Sequence, residues 1–265
     1  NAESVKGETM DYNNNQGSQN QGAFYEQAMA DSARANSAQA AAAPSRRMEK
    51  MAKKGIDMES TISRRTYNLI MGFIILWGVG IDTLICKFYG EKLTAAFGRS
   101  WTMILIYLAL VIAGFAVVHF AKNPVISFLG YNLLVVGFGV SLAVIVEMYA
   151  PAVVMEAFLV TTIVTGLMLL LGQLWQDFFK KIGAVLAIAL LGVIITEVIM
   201  LLVTGTYPTW ISVVSAIIFS GFIGYDWAKA QEAPTTTKNA VLFATALYVD
   251  IINLFLDILR IVGDD

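Results

Sequence analysis

The sequence predicts an all-α polytopic membrane protein with seven transmembrane helices, and three observations predict it. Over 265 residues the chain is 57% hydrophobic and 14% charged, where a soluble domain carries about 25% charged residues. The apolar residues fall in seven blocks, each near the roughly 20 residues that a helix needs to cross a bilayer. The segments between blocks are short, which favours antiparallel neighbours. A net charge of −2 leaves no basic footprint for nucleic acid. One cysteine, Cys86, excludes an internal disulfide, and one histidine, His119, argues against a histidine metal site or triad. No cleavable signal peptide is legible, because the first apolar block is long enough to span.

Residues 1–44 are rich in Asn, Gln, Ser and Ala and poor in large apolar side chains. Such a segment buries too little surface to offset its ordering entropy, so a disordered polar tail is expected. Met10 is read as the native start, with residues 1–9 a remnant ahead of it. Residues 45–65 form a basic flank with Arg46, Arg47, Lys50, Lys53, Lys54, Arg64 and Arg65. It reads as a membrane-proximal segment that fixes orientation, with anionic-lipid binding as the sharper alternative.

The transmembrane domain is expected over residues 66–263. Its blocks cover about 66–87, 101–121, 124–147, 152–174, 181–203, 209–228 and 239–262. The first contains Asp82. The second ends near His119 and Lys122. Pro124 opens the third and Glu147 ends it, Glu156 lies early in the fourth, and Glu197 lies late in the fifth. The sixth ends in Gly224-Tyr225-Asp226-Trp227. The balance of Lys and Arg between alternate segments places the N-terminus in the cytoplasm and the C-terminus outside. Gly137, Gly139, Gly166, Gly172, Gly221 and Gly224 are candidates for close helix packing.

The seventh block carries the densest chemistry. Asp250, Asn253, Asp257 and Arg260 step by three, four and three residues, which places all four on one helix face. A carboxylate within the hydrocarbon should face protein or water and have a partner. Asp250 is about 15 Å deep at about 1.5 Å per residue, and a short loop joins its helix to the one bearing Asp226. Those two acids are therefore expected to meet. Two carboxyl groups in contact do not both ionise easily, so the pair would share a proton and act as a proton switch. Asp257 and Arg260 have the spacing of a helical ion pair. Asp82, Glu147, Glu156, Glu197, Asn253 and Asp257 are candidates for an acidic outer cation path, with solvation or a polar neighbour as the plainer account of the first four.

The segments Phe219-Ser220-Gly221-Phe222-Ile223-Gly224-Tyr225-Asp226 and Ala246-Leu247-Tyr248-Val249-Asp250-Ile251-Ile252-Asn253-Leu254-Phe255, followed by Leu259-Arg260, resemble a bacterial member of the Bax-inhibitor family of transmembrane proteins. Gly137-Phe138-Gly139-Val140-Ser141-Leu142 and Glu156-Ala157-Phe158 support the resemblance, which covers about residues 60–263. It implies a fold whose seventh helix is central and surrounded by the other six. It implies a pH-sensitive calcium leak, with Asp226 and Asp250 as sensor and gate and as transient calcium ligands. Members latch this pair with an arginine at the inner end of the second helix, where this chain has only His119 and Lys122. The implied permeant ion is Ca²⁺, with no cofactor. The implied surroundings are the lipid bilayer of a bacterial inner membrane, with other membrane proteins as candidate partners. The rival readings are an intramembrane aspartyl protease, which also sets a Tyr-Asp against a second aspartate, a proton-coupled cation exchanger, and a membrane interaction or stress-regulatory protein. A seven-helix retinal protein is disfavoured, because no lysine lies deeper in the seventh block than Lys238.

Overall fold

A computed structural model describes residues 26–35, 37, 61–97, 101–205 and 208–264. The chain divides into two units, Asn1–Lys53 and Lys54–Asp265. In the first, residues 26–35 are helical and exposed, a departure from the structureless tail expected there. Ala-rich sequence has high helix propensity, which accounts for it. The rest of the tail, and the basic flank before residue 61, lie outside the described residues.

The second unit is built from α1 (Arg64–Phe97), α2 (Trp101–Phe120), α3 (Pro124–Val146), α4 (Pro151–Leu174), α5 (Gln176–Thr204), α6 (Thr209–Glu232) and α7 (Thr237–Gly263). No strand occurs among the described residues. Six of these helices are long and apolar enough to cross a membrane, and α2 contributes a shorter apolar stretch, Ile104–Phe120. Local sequence sets the boundaries. Pro124 and Pro151 sit in first turns, where a missing N–H costs nothing, and the Asn123 side chain caps Val125 N. Thr236 caps α7 by accepting from Asn239 N at 3.1 Å. Gly205, just past α5, takes a positive φ of 67°, the usual helix-ending conformation.

Two boundaries differ from expectation. α1 runs nearly three turns past residue 87, to Phe97, and α5 begins at Gln176 rather than about 181. Each extension interrupts the apolar run with charges, Glu91 and Lys92 in α1 and Asp177 and Lys180 in α5, which reads as loop in a hydropathy pattern, yet neither contains a proline to break the helix. Lys180 holds Asp177 at 2.9 Å within the first turn of α5 and reaches Glu232 of α6 at 3.8 Å.

α7 packs on α1, α3, α4 and α6, with a lighter contact to α2. α5 packs mainly on α6. Chain neighbours are not always spatial neighbours: α1 rests on α3 and α7 rather than on α2. Lipid gives no hydrophobic drive for helix pairing, so shape decides. Tyr67, Met71, Tyr131, Leu134 and Tyr248 form the fully buried centre of the α1–α3–α7 layer. Ala157, Ile223, Leu247 and Leu254 fill the α4–α6–α7 layer. Leu69, Phe73, Ile163, Leu167, Ile188 and Leu202 are exposed, a surface suited to lipid tails and far too apolar for water.

Glycines mark the closest crossings. A Cβ on Gly172 of α4 would lie 2.6 Å from the carbonyl oxygen of Gly224 in α6. Gly114 and Gly130 bring α2 and α3 together in the same way. Gly166 differs from expectation, because nothing lies within 4 Å of a Cβ there; it faces away from the packed interior.

Candidate functional site: an acidic pocket on one face of α7

A pocket of ≈ 490 Å³ opens beside α7, walled by α2, α3, α5 and α6. Its α7 wall is Ala246, Val249, Asp250, Asn253, Leu256, Asp257 and Arg260. These residues recur at three- and four-residue steps, so a single polar stripe faces the cavity while the apolar sides of the helix pack into both layers.

At one end the carboxyl groups of Asp226 and Asp250 meet side chain to side chain at hydrogen-bonding range. Lys229, one turn after Asp226, adds a favourable charge interaction and lies over the Tyr225 ring at 5.4 Å. Asp250 is 7% exposed, and its Oδ2 has no hydrogen-bond partner among the described residues. Two carboxyl groups pressed together at a low-dielectric site are accommodated by sharing one proton.

At the other end, Arg260 Nη1 lies 3.4 Å from Asp257 Oδ1 and 4.0 Å from Glu197 Oε1 of α5. The expected Asp257–Arg260 pair is therefore present, and α5 reaches α7 through Glu197. Ser215 of α6 stands beside Asp257. Asn253 lies between the two ends, and its Nδ2 donates to Val249 O at 2.8 Å.

The other acids lie elsewhere. Asp82 is buried, but on the α1–α3 side of α7, where the Tyr248 hydroxyl donates to its Oδ2 at 2.6 Å. Tyr248 is held edge-on by Tyr131 and Phe138, with centroids at 5.3 and 5.9 Å. Asp82 thus has the polar neighbour the plainer reading expected, and it does not line the pocket. Glu147 and Glu156 are exposed and stand outside the lining. His119 packs against Phe120 and Lys122 is exposed. Neither lines the pocket, and among the described residues no ion pair joins either to Asp226 or Asp250. The fold does not bring the expected latch residues to the pair.

Tyr248 and Ser215 are site-adjacent residues that pattern reading missed. Tyr248 is two residues from Asp250, so it points away from the acidic stripe, and its partner is 166 residues distant. Tyr248→Phe should lower the unfolding temperature in detergent, because Asp82 loses its donor at a cost of about 1–3 kcal/mol. Adding Asp82→Leu should recover part of that loss, since no buried acceptor then remains. No recovery would mean that the ring's position, not the hydrogen bond, sets the stability.

No group of three His, Cys, Asp or Glu side chains arranged to hold a metal occurs among the described residues. The Asp226–Asp250 pair offers carboxylate oxygens only. Ca²⁺ takes 6–8 oxygen ligands, so water would have to complete its shell there.

The family model described as Inhibitor of apoptosis-promoting Bax1 matches residues 59–265. Inner membrane protein YbhL of Escherichia coli is 29% identical over 174 residues, covering 61% of this chain and 73% of that protein. A membrane protein of Streptococcus pyogenes is 33% identical over 132 residues, covering 47% of this chain. The match spans 58% of the streptococcal protein's length. A Deinococcus radiodurans protein is 27% identical over 221 residues, covering 79% of this chain and 93% of its own. With most of its length matched by the family model, and with the seven-helix unit occupying that same stretch, this chain belongs to the family of the inhibitor of apoptosis-promoting Bax1 and is a membrane protein.

Proposed function

We propose that the chain is a pH-sensitive cation leak channel, chiefly for calcium, gated by the Asp226–Asp250 pair. The observation that carries the reading is the meeting of these two carboxyl groups in a pocket whose far end holds Asp257 and Glu197. Acidic groups at both ends concentrate cations and exclude anions. α2 serves as the seventh span, its Ile104–Phe120 stretch being a little short and met by tilt or local thinning of the bilayer. The N-terminus is cytoplasmic and the membrane is a bacterial inner membrane, as the name of the Escherichia coli relative says of that protein.

The sign of gating follows from charge. With both carboxyls ionised, the pair is a dianion that holds a divalent cation. With a shared proton it binds more weakly, and conduction needs binding weak enough for the ion to leave. Calcium entry into proteoliposomes should therefore be faster at about pH 6 than at about pH 8, by about tenfold if protonation lowers the exit barrier by about 1.4 kcal/mol. Flux equal to that of protein-free vesicles at both values would refute the leak.

The protease reading uses the same two aspartates and the same shared proton. Cleavage of a membrane-embedded peptide, lost in Asp226→Ala, would favour it over the leak.

A further inference from the structure

The two ends of the pocket form a matched pair of charge stations. At one end Asp226 and Asp250, if they share a proton, carry a net charge of −1 toward the cavity, with the Lys229 charge acting on Asp226 from outside the lining. At the other, Asp257 and Glu197 against Arg260 carry the same net charge. Asp250 and Asp257 are seven residues apart on α7, about 10 Å at about 1.5 Å per residue. Each is more than nine-tenths buried, 7% and 3% exposed, and each lines the pocket. In both, Oδ2 accepts no hydrogen bond among the described residues. Each carboxyl group has a neighbour, Asp226 for Asp250 and Ser215 with Arg260 for Asp257, yet one oxygen on each is left to take a further donor, and these two lie two helical turns apart on one cavity wall. The walls between them are apolar, with Leu190, Val193, Phe219 and Phe222. Asn253, midway, uses its Nδ2 on Val249 O and keeps its Oδ1 as an acceptor. Lys229 acts on Asp226 but stands outside the lining.

We infer that this pocket binds linear aliphatic polyamines, with terminal ammonium groups about 10 Å apart, one at Asp226–Asp250 and the other at Asp257–Glu197. The methylene chain lies along the apolar walls, and a secondary amine near mid-chain, as in spermidine, meets Asn253 Oδ1. A monoamine satisfies one station and leaves the other unpaired. A four-carbon diamine is too short to reach both. An inorganic divalent ion has no use for the apolar walls. The binding claim rests on the pocket geometry, and the block of ion flux that follows from it rests also on the leak reading.

The test is titration calorimetry on the purified full-length protein in detergent, with heptylamine, the seven-carbon α,ω-diamine, the four-carbon diamine and spermidine. The seven-carbon diamine should bind at least about tenfold more tightly than heptylamine, since it adds a charge-assisted hydrogen bond. It should also surpass the four-carbon diamine. Asp257→Asn keeps the side-chain shape and should bring the seven-carbon diamine down to the level of heptylamine, with heptylamine itself weakened by no more than about twofold, the loss of one of two equivalent stations. Val193→Trp, which fills the cavity from α5, should remove binding of all four. Equal affinity for diamine and monoamine, or an Asp257→Asn protein with undiminished diamine preference, would overturn the inference. Spermidine block of calcium entry into proteoliposomes is read separately. Binding without any flux to block would leave the polyamine site standing and remove the leak reading, whereas flux without diamine preference would do the reverse.

Discussion

Asp250→Asn is expected to abolish the pH dependence of calcium flux while leaving the protein folded. Asparagine matches aspartate in shape and can still donate to Asp226, so the contact between α6 and α7 survives. It cannot ionise, so the pair can no longer become a dianion. The substituted site resembles the protonated wild type at every pH. Flux at about pH 8 should rise to the level at about pH 6, and a ratio of about tenfold in the wild type should fall to about one. The substitution should also be mild for stability, because it relieves charge repulsion at a buried site. A melting temperature at or above that of the wild type, together with flat flux, is the expected result. Retention of the full pH response in a folded Asp250→Asn protein would move the sensor elsewhere.

Gly172→Ala should be strongly damaging, because its three nearest contacts would all be backbone atoms of the facing helix. The new Cβ would lie 2.6 Å from Gly224 O and 3.0 Å from Gly224 Cα. Both are backbone atoms, which cannot rotate aside as a side-chain tip can. α4 must therefore shift from α6, with overpacking costs of about 1–3 kcal/mol. Gly224 lies two residues before Asp226, so the shift should reach the carboxyl pair and alter flux as well as stability. Gly166→Ala is the matched control on the same helix, because nothing lies within 4 Å of its Cβ. It should be neutral or stabilising by up to about 1 kcal/mol through helix propensity. Thermal unfolding of the two variants in one detergent checks this. Equal effects would show that the α4–α6 crossing tolerates separation.

The helices and the polar stripe of α7 were legible in the sequence because both are periodic signals within one segment. Long apolar runs mark the spans, and the spacing of Asp250, Asn253, Asp257 and Arg260 names the face that lines the pocket. The meeting of Asp226 with Asp250 was legible too, since a short connection, Ala233–Thr236, constrains two helices. What stayed hidden depends on packing between distant segments. Asp82 gave no sign of its Tyr248 partner, and both residues sit in apolar runs. Glu197 was legible as an intramembrane acid, but its position opposite Arg260 follows from how α5 lies on α6, which no local pattern encodes. The polar first turn of α5 was misread for the opposite reason: Asp177 and Lys180 look like loop to hydropathy but stabilise the helix by pairing with each other. His119 and Lys122 followed from the family's latch position rather than from any contact, and the fold leaves them away from the pair.

The most direct test of the central claim is a double-mutant cycle on calcium flux against pH, with Asp226→Asn, Asp250→Asn and the double variant. If one proton shared between the two carboxyl groups is the switch, each single substitution removes the whole pH response and the double adds nothing. If each single variant kept about half of the response and the double removed the rest, the two aspartates would be titrating independently, and the shared-proton gate would be wrong.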